Sequence, residues 1–147
     1  MDFDKRVEEL FLDLPEMPAS AVQAGKLVFI GGVLPWREGK MAYKGRVGLE
    51  LNLDAGRLAS HAACQQALGI LRKHLGGSFN KVRQVVSLRG FIASGTEFHE
   101  QDKVLDGAAK LLQDVFGPAG KPVRSSVGVT ALPHDAAVEL ELVVEMK

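Results

Sequence analysis

Apolar residues recur along the chain at two spacings, and the switches between them mark out the elements. Phe3, Val7, Leu10, Phe11 and Leu14 repeat at helical spacing, which predicts a short helix over residues 3–14, ended by Pro15 and Pro18. Residues 21–34 read as two short strands with a tight turn at Gly25-Lys26. The run Leu27-Val28-Phe29-Ile30 is continuously apolar, as suits a strand buried on both faces. Gly31-Gly32 follows and then Pro35; adjacent glycines at a strand end point to close approach by another backbone or a ligand. Residues 36–48 read as a polar loop with several glycines.

The clearest helix spans residues 52–75. Leu53, Cys64, Ala67, Leu68, Leu71 and Leu75 form its stripe, Asn52 can cap its start and Gly76-Gly77 can end it. Alternation over residues 82–92 predicts a strand with Val82, Val86, Leu88 and Ile92 on one face and Val85, Ser87, Arg89 and Phe91 on the other. A second long helix is expected over residues 97–116, capped by Thr96, buried through Leu105, Ala108, Leu112 and Val115, and stopped by Gly117-Pro118. Strands over residues 124–132 and 137–146 finish the chain. The last places Val138, Leu140, Leu142, Val144 and Met146 on one face and Glu139, Glu141 and Glu145 on the other.

Two helices can cover one face of a four-stranded sheet, which leaves the second face to be explained. Three glutamates, Val143, Val85, Ser87, Arg89 and Phe91 make it too apolar for free solvent and too polar for a sealed core. A partly wet subunit interface suits that mixture.

Composition narrows the function. The 147 residues carry 18 basic and 18 acidic side chains, so the basic excess typical of a dedicated nucleic-acid binder is missing. The single cysteine, Cys64, excludes an internal disulfide and a cysteine-rich metal site, and fits a reducing compartment. The acidic start, Met1-Asp2-Phe3-Asp4, is unlike a signal peptide, and no apolar run approaches the ~20 residues that span a bilayer. A cytoplasmic location and no membrane partner are therefore expected. The histidines at 61, 74, 99 and 134 lack metal-ligand spacing and read as surface or structural groups, so no metal site is expected. No Gly-x-Ser-x-Gly elbow, Walker loop or dinucleotide fingerprint is present.

Candidate chemistry concentrates near the C-terminus. Arg124 starts a strand among small residues, just after Pro122-Val123. Its planar fork can grip a carboxylate through two hydrogen bonds, and alternation places Ser126 on the same face. The competing reading is an edge-strand charge that deters aggregation. Glu139 can orient or deprotonate a water beside a bound substrate, or belong to a solvated face with Glu141 and Glu145.

The run Pro122-Val123-Arg124-Ser125-Ser126-Val127, then Leu132-Pro133 and Val138-Glu139-Leu140-Glu141, resembles the signature of the RidA family, also called YjgF or UK114. Val28-Phe29-Ile30-Gly31-Gly32-Val33-Leu34-Pro35 is similar to the family's second strand, and residues 85–92 to its central strand. The likeness covers most of the chain from about residue 20 onward. It implies a chorismate-mutase-like α+β fold of order β-α-β-α-β-β, with a mixed sheet and two helices on one face. It also implies a homotrimer with sites between subunits. Residues 1–147 would form one such domain, with residues 1–18 as a helical extension. Although a turn near Pro133-His134 suggests that the last two strands form a hairpin, the resemblance places the 82–92 strand between them.

The implied chemistry is hydrolysis of reactive enamines and imines of the 2-aminoacrylate type to a keto acid and ammonia. Carried over by position, Arg124 would bind the carboxylate of a small metabolite and Glu139 would activate water. Gly31, Ser126 and Asp106 would line the substrate site. No cofactor is implied, because an imine is already electrophilic. The chain departs from the family at several points. Pro18-Ala19-Ser20 stands where many members have a tyrosine, and Gly31, Ser126 and Asp106 stand where a serine, a cysteine and an asparagine are common. Two alternatives accompany the deaminase reading: a regulatory trimer that binds a metabolite without turnover, and an endoribonuclease or translation inhibitor. The neutral charge balance and the lack of a histidine pair argue against the second, and nucleic acid is not an expected partner.

Overall fold

A computed structural model describes residues 1–16 and 20–147. Its main sheet has five strands in the order β1-β2-β7-β5-β6. They are β1 (Ala21–Ala24), β2 (Leu27–Val33), β5 (Val82–Ala93), β6 (Val123–Val129) and β7 (Val138–Met146). A small hairpin, β3 (Trp36–Arg37) and β4 (Lys40–Met41), occupies part of the stretch expected to be a plain loop. Helices α2 (Leu53–His74) and α3 (Gln101–Phe116) cover one face of the sheet, and the short α1 (Phe3–Glu9) packs beside α3.

The mixed α+β sheet with helices on one face agrees with expectation, with five strands because both arms of the residue 21–34 hairpin join the sheet. β5 lies between β6 and β7, parallel to β6 and antiparallel to β7. The local hairpin suggested by Pro133-His134 is therefore not formed; a single turn of 3-10 helix at Pro133–Asp135 carries the chain past β5.

α2 begins where the sequence places it, with the Asn52 side chain accepting a hydrogen bond from the Ala55 N–H at 2.8 Å. Its small residues let α3 approach closely. Ser60 donates to the Val104 carbonyl at 2.6 Å and accepts from the Ala108 N–H at 3.1 Å, and a side chain at Gly107 would collide with the Arg57 carbonyl. That crossing fixes the turn of α3 that carries Asp106. No helix among the described residues is long and apolar enough to cross a membrane.

Several elements differ from the periodicity, and β6 stops at Val129 instead of reaching residue 132. α1 ends at Glu9 instead of continuing to residue 14, and Phe11, in a left-handed turn at φ 53°, is 93% exposed. Pro18 and Ala19, and so the proposed role of Pro18 in ending that helix, lie outside the described residues. α3 starts at Gln101 with no side-chain cap, and Thr96 stays in the preceding turn. In β5 the pairing with β7 shifts between Val82 and Gln84 and again between Val85 and Ser87. These irregularities bring Val85 to the helix side, where it pairs with buried Val144 and is itself buried, while Val86 is only half-buried.

The N-terminal segment is tied into the core. Phe3 and Phe79 both pack edge-on against Phe116, at 5.1 and 5.9 Å. Asp4 accepts from the Phe79 N–H at 2.7 Å and from the Ser78 hydroxyl at 2.6 Å.

Candidate functional site

The sheet's alternation separates the candidate residues. On β6, Arg124 pairs with Leu88 and Ser126 with Gly90, so both take the side on which Leu88 meets the helices. The Nη2 group of Arg124 donates to the Asp102 carbonyl at 2.7 Å and to Asp106 Oδ1 at 2.7 Å, both on α3. The Arg124 and Asp106 side chains keep 33% and 53% of their surface exposed, so the pair is worth only about 0–1 kcal/mol and holds the guanidinium loosely. Nε and Nη1 have no hydrogen-bond partner among the described residues. Arg124, Ser126 and Asp106 thus form one neighbourhood at the β6 edge of the molecule.

Glu139 and Gly31 form another. On β7, Glu139 pairs with Phe91 and Glu141 with Arg89, on the sheet face opposite the helices. β2 gains an extra residue against β7 between Ile30 and Val33, a bulge at the glycine doublet. A side chain at Gly32 would collide with the Glu139 carboxylate, and one at Gly31 would lie 2.8 Å from Glu141 Cγ. The close approach at Gly31-Gly32 is therefore made by two glutamate side chains of β7, not by the backbone of another strand as the doublet suggested. Within one chain Arg124 and Glu139 lie on opposite faces and do not meet.

The open face carries a largely apolar row, broken by Ser87. Val22, Phe29, Val143, Ser87 and Val123 are successive cross-strand neighbours, one from each strand in spatial order. Phe29 is 45% and Val123 74% exposed, although both side chains are apolar. Phe91 and Val127 form a parallel step beside Glu139. An open concavity of about 820 Å³ lies along the row, walled by Val22, Phe29, Gly31, Gly32, Ser87, Arg89, Glu141 and Val143. Sequence alone does not single out Arg89, Gly32 and Glu141 as site residues, because their convergence depends on the β2–β7–β5 register.

Among the described residues, no three His, Cys, Asp or Glu side chains gather closely enough to hold a metal ion. Burial pushes the Cys64 thiol up to about 12, which leaves it un-ionised and chemically quiet at neutral pH.

Residues 9–146 match the family model described as "YjgF/chorismate mutase-like, putative endoribonuclease". Protein TCP17 of Trypanosoma cruzi is 33% identical over 147 residues, covering 95% of this chain and 91% of that protein. The protein Atu1372 of Agrobacterium tumefaciens, of unknown function, superimposes with TM-score 0.93 at 33% identity over 99% of this chain and 92% of that one. A "putative endoribonuclease" of Shewanella oneidensis gives TM-score 0.93 at 26% identity, over 99% and 100% of the two chains. RidA of a Psychrobacter species shares the fold at TM-score 0.57 and 21% identity, over 90% and 94% of the two chains.

Proposed function

Because the chain belongs to the YjgF/chorismate-mutase-like family, we propose that it works as a homotrimer that hydrolyses enamine and imine intermediates of the 2-aminoacrylate type to a keto acid and ammonia. The observation that carries this reading is the loosely held Arg124 guanidinium, with Nε and Nη1 free of partners among the described residues and the small side chain of Ser126 on the same face. Either of these donors can give a carboxylate a charge-assisted hydrogen bond.

In the proposed reaction the enamine tautomerises to the imine, and water adds to the C=N carbon. Glu139 takes a proton from that water as the C–O bond forms and the π electrons pass to nitrogen. Glu139 passes that proton to the nitrogen to give the neutral carbinolamine, and the hydroxyl proton then moves to the same nitrogen as the C=O bond forms and the C–N bond breaks, releasing ammonia. The imine carbon needs no further activation, so the protein's contribution is orientation and charge. Gly31, Ser126 and Asp106 border the substrate.

Assembly is part of the proposal. Arg124 and Glu139 face opposite sides of one sheet, so a shared site requires Glu139 and Gly31 of one copy to approach the β6 edge of another. The largely apolar row from Val22 to Val123 supports a second copy as the cover for the open face. A binding trimer without turnover is the second reading, favoured by Asp106, whose negative charge sits beside the carboxylate-binding fork. No basic excess supports the RNA-cleaving alternative.

Adding the protein to a pyridoxal-dependent dehydratase reaction is expected to speed keto-acid release. Arg124→Ala is expected to remove roughly nine-tenths of the gain or more, in line with the ~1.5–3 kcal/mol of a charged hydrogen bond. Binding of keto acids with no acceleration would support the regulatory trimer instead. Equal activity in wild type and Arg124→Ala would contradict the assigned role of Arg124.

A further inference from the structure

Building on the reading that Arg124 holds a carboxylate, we propose that Asp106 makes the site selective for acids with a protonated nitrogen on the carbon next to the carboxylate. Iminium or ammonium acids would then bind in preference to the corresponding keto acids. Asp106 Oδ1 and the Asp102 carbonyl both engage Nη2, on one side of the guanidinium. A ligand carboxylate is left the Nε–H and Nη1–H donors, which lie on different flanks of the guanidinium, so it is held by one of them while Nη2 stays with Asp106 and Asp102. Asp106 Oδ2 has no hydrogen-bond partner among the described residues, and about half of the side chain is exposed. An ammonium or iminium group held next to the ligand carboxylate is placed within reach of that oxygen.

Charge balance gives the selectivity its direction. Arg124 is the only cation in ion-pair contact with Asp106 among the described residues; Lys103 is paired with Glu100, and Lys110 with Asp114. Arg124 and Asp106 together are neutral. A keto acid therefore brings an uncompensated negative charge alongside Asp106, whereas a zwitterion meets both partners with the opposite sign. Hydrolysis converts the favoured form into the disfavoured one, since the product carries a carbonyl where the substrate carried a cationic nitrogen. The same contact that helps to hold the substrate would thus help to release the keto acid.

The test is calorimetric titration at pH 7 with L-alanine, the cyclic imine Δ1-pyrroline-2-carboxylate and pyruvate. The protein variants are wild type, Asp106→Asn and Arg124→Ala. Asparagine keeps an oxygen for Nη2 and removes the charge. Wild type is expected to favour the nitrogen-bearing acids over pyruvate by roughly fivefold to tenfold, the scale of a partly exposed ion contact. Asp106→Asn should bring the ratio close to one, mainly by tightening pyruvate. Arg124→Ala should weaken all three ligands. If Arg124→Ala weakens all three but Asp106→Asn leaves the ratio unchanged, selectivity by Asp106 is overturned while the carboxylate reading stands. If wild type binds none of them, or Arg124→Ala binds them all as well as wild type does, both fall.

Discussion

The two faces of the main sheet are written by alternate residues of the same strands, yet they have different fates. On the helix side, Leu88, Ile92, Val138, Leu140 and Leu142 are closed over by α2 and α3 and are almost wholly buried. On the other side, Phe29, Phe91, Val123, Val127 and Val143 stand among Ser87, Arg89, Glu139 and Glu141, and the concavity there is open. The helix side is completed by the chain's own elements. The open side has apolar residues in rows interrupted by Ser87 and Glu139, a pattern that single-chain packing leaves without a partner and that a second copy would satisfy. The candidate residues divide in the same way, with Arg124, Ser126 and Asp106 on one side and Glu139 and Gly31 on the other.

This contrast is open to attack from both sides. The largest effect is expected at the centre of the open face. Val143→Lys should abolish the proposed trimer in sedimentation experiments while leaving the monomer folded by circular dichroism. By contrast, Leu140→Ala, on the helix side of the same strand, should leave assembly intact and cost about 2–5 kcal/mol in urea unfolding. A trimer that survives Val143→Lys would mean that the open face is not the surface through which copies meet.

The smallest effect belongs to the covered side. His61 on α2 is half-buried, and burial pulls its imidazole below the ordinary value of 6.5. Between those two values the unfolded chain binds more protons than the folded one, so stability rises with pH there and is lost as pH falls below 6.5. His61→Gln should flatten this part of the profile of stability against pH. An unchanged slope in the variant would show that His61 contributes nothing to it.

Much of the helix side is legible in the sequence because its causes are local. Asn52 caps α2, and the strict alternation from Val138 to Val144 survives in β7. The misses have non-local causes. The irregular β5 pairing moves Val85 to the core, and its shifts are set by β7 rather than by any turn residue. The early end of α1 is the exception and is local: Phe11 takes a left-handed φ of 53°, its N–H bonds back to the Glu8 carbonyl at 3.0 Å and the Leu12 N–H to the Val7 carbonyl at 3.2 Å. The insertion of β5 between the last two strands is legible only through the family resemblance, since short-range turn chemistry points the other way.

The candidate site is legible to a similar extent. Arg124 and Ser126 share a face, as a period of two requires. The Gly31-Gly32 doublet announces a close approach, but only the β2–β7 register identifies Glu139 and Glu141 as the groups that make it. That Arg124 and Glu139 lie on opposite faces follows from the placement of β5 between β6 and β7, which no local pattern encodes.

That separation supplies the most direct test of the central proposal, a site shared between copies of the chain. Arg124→Ala and Glu139→Gln proteins, each expected to be strongly impaired alone, are unfolded together, refolded as mixed trimers and assayed for acceleration of keto-acid release. If Arg124 of one subunit works with Glu139 of another, some mixed interfaces contain both native residues, and part of the wild-type activity returns. Mixed trimers no more active than their parents would contradict a site built across the subunit boundary.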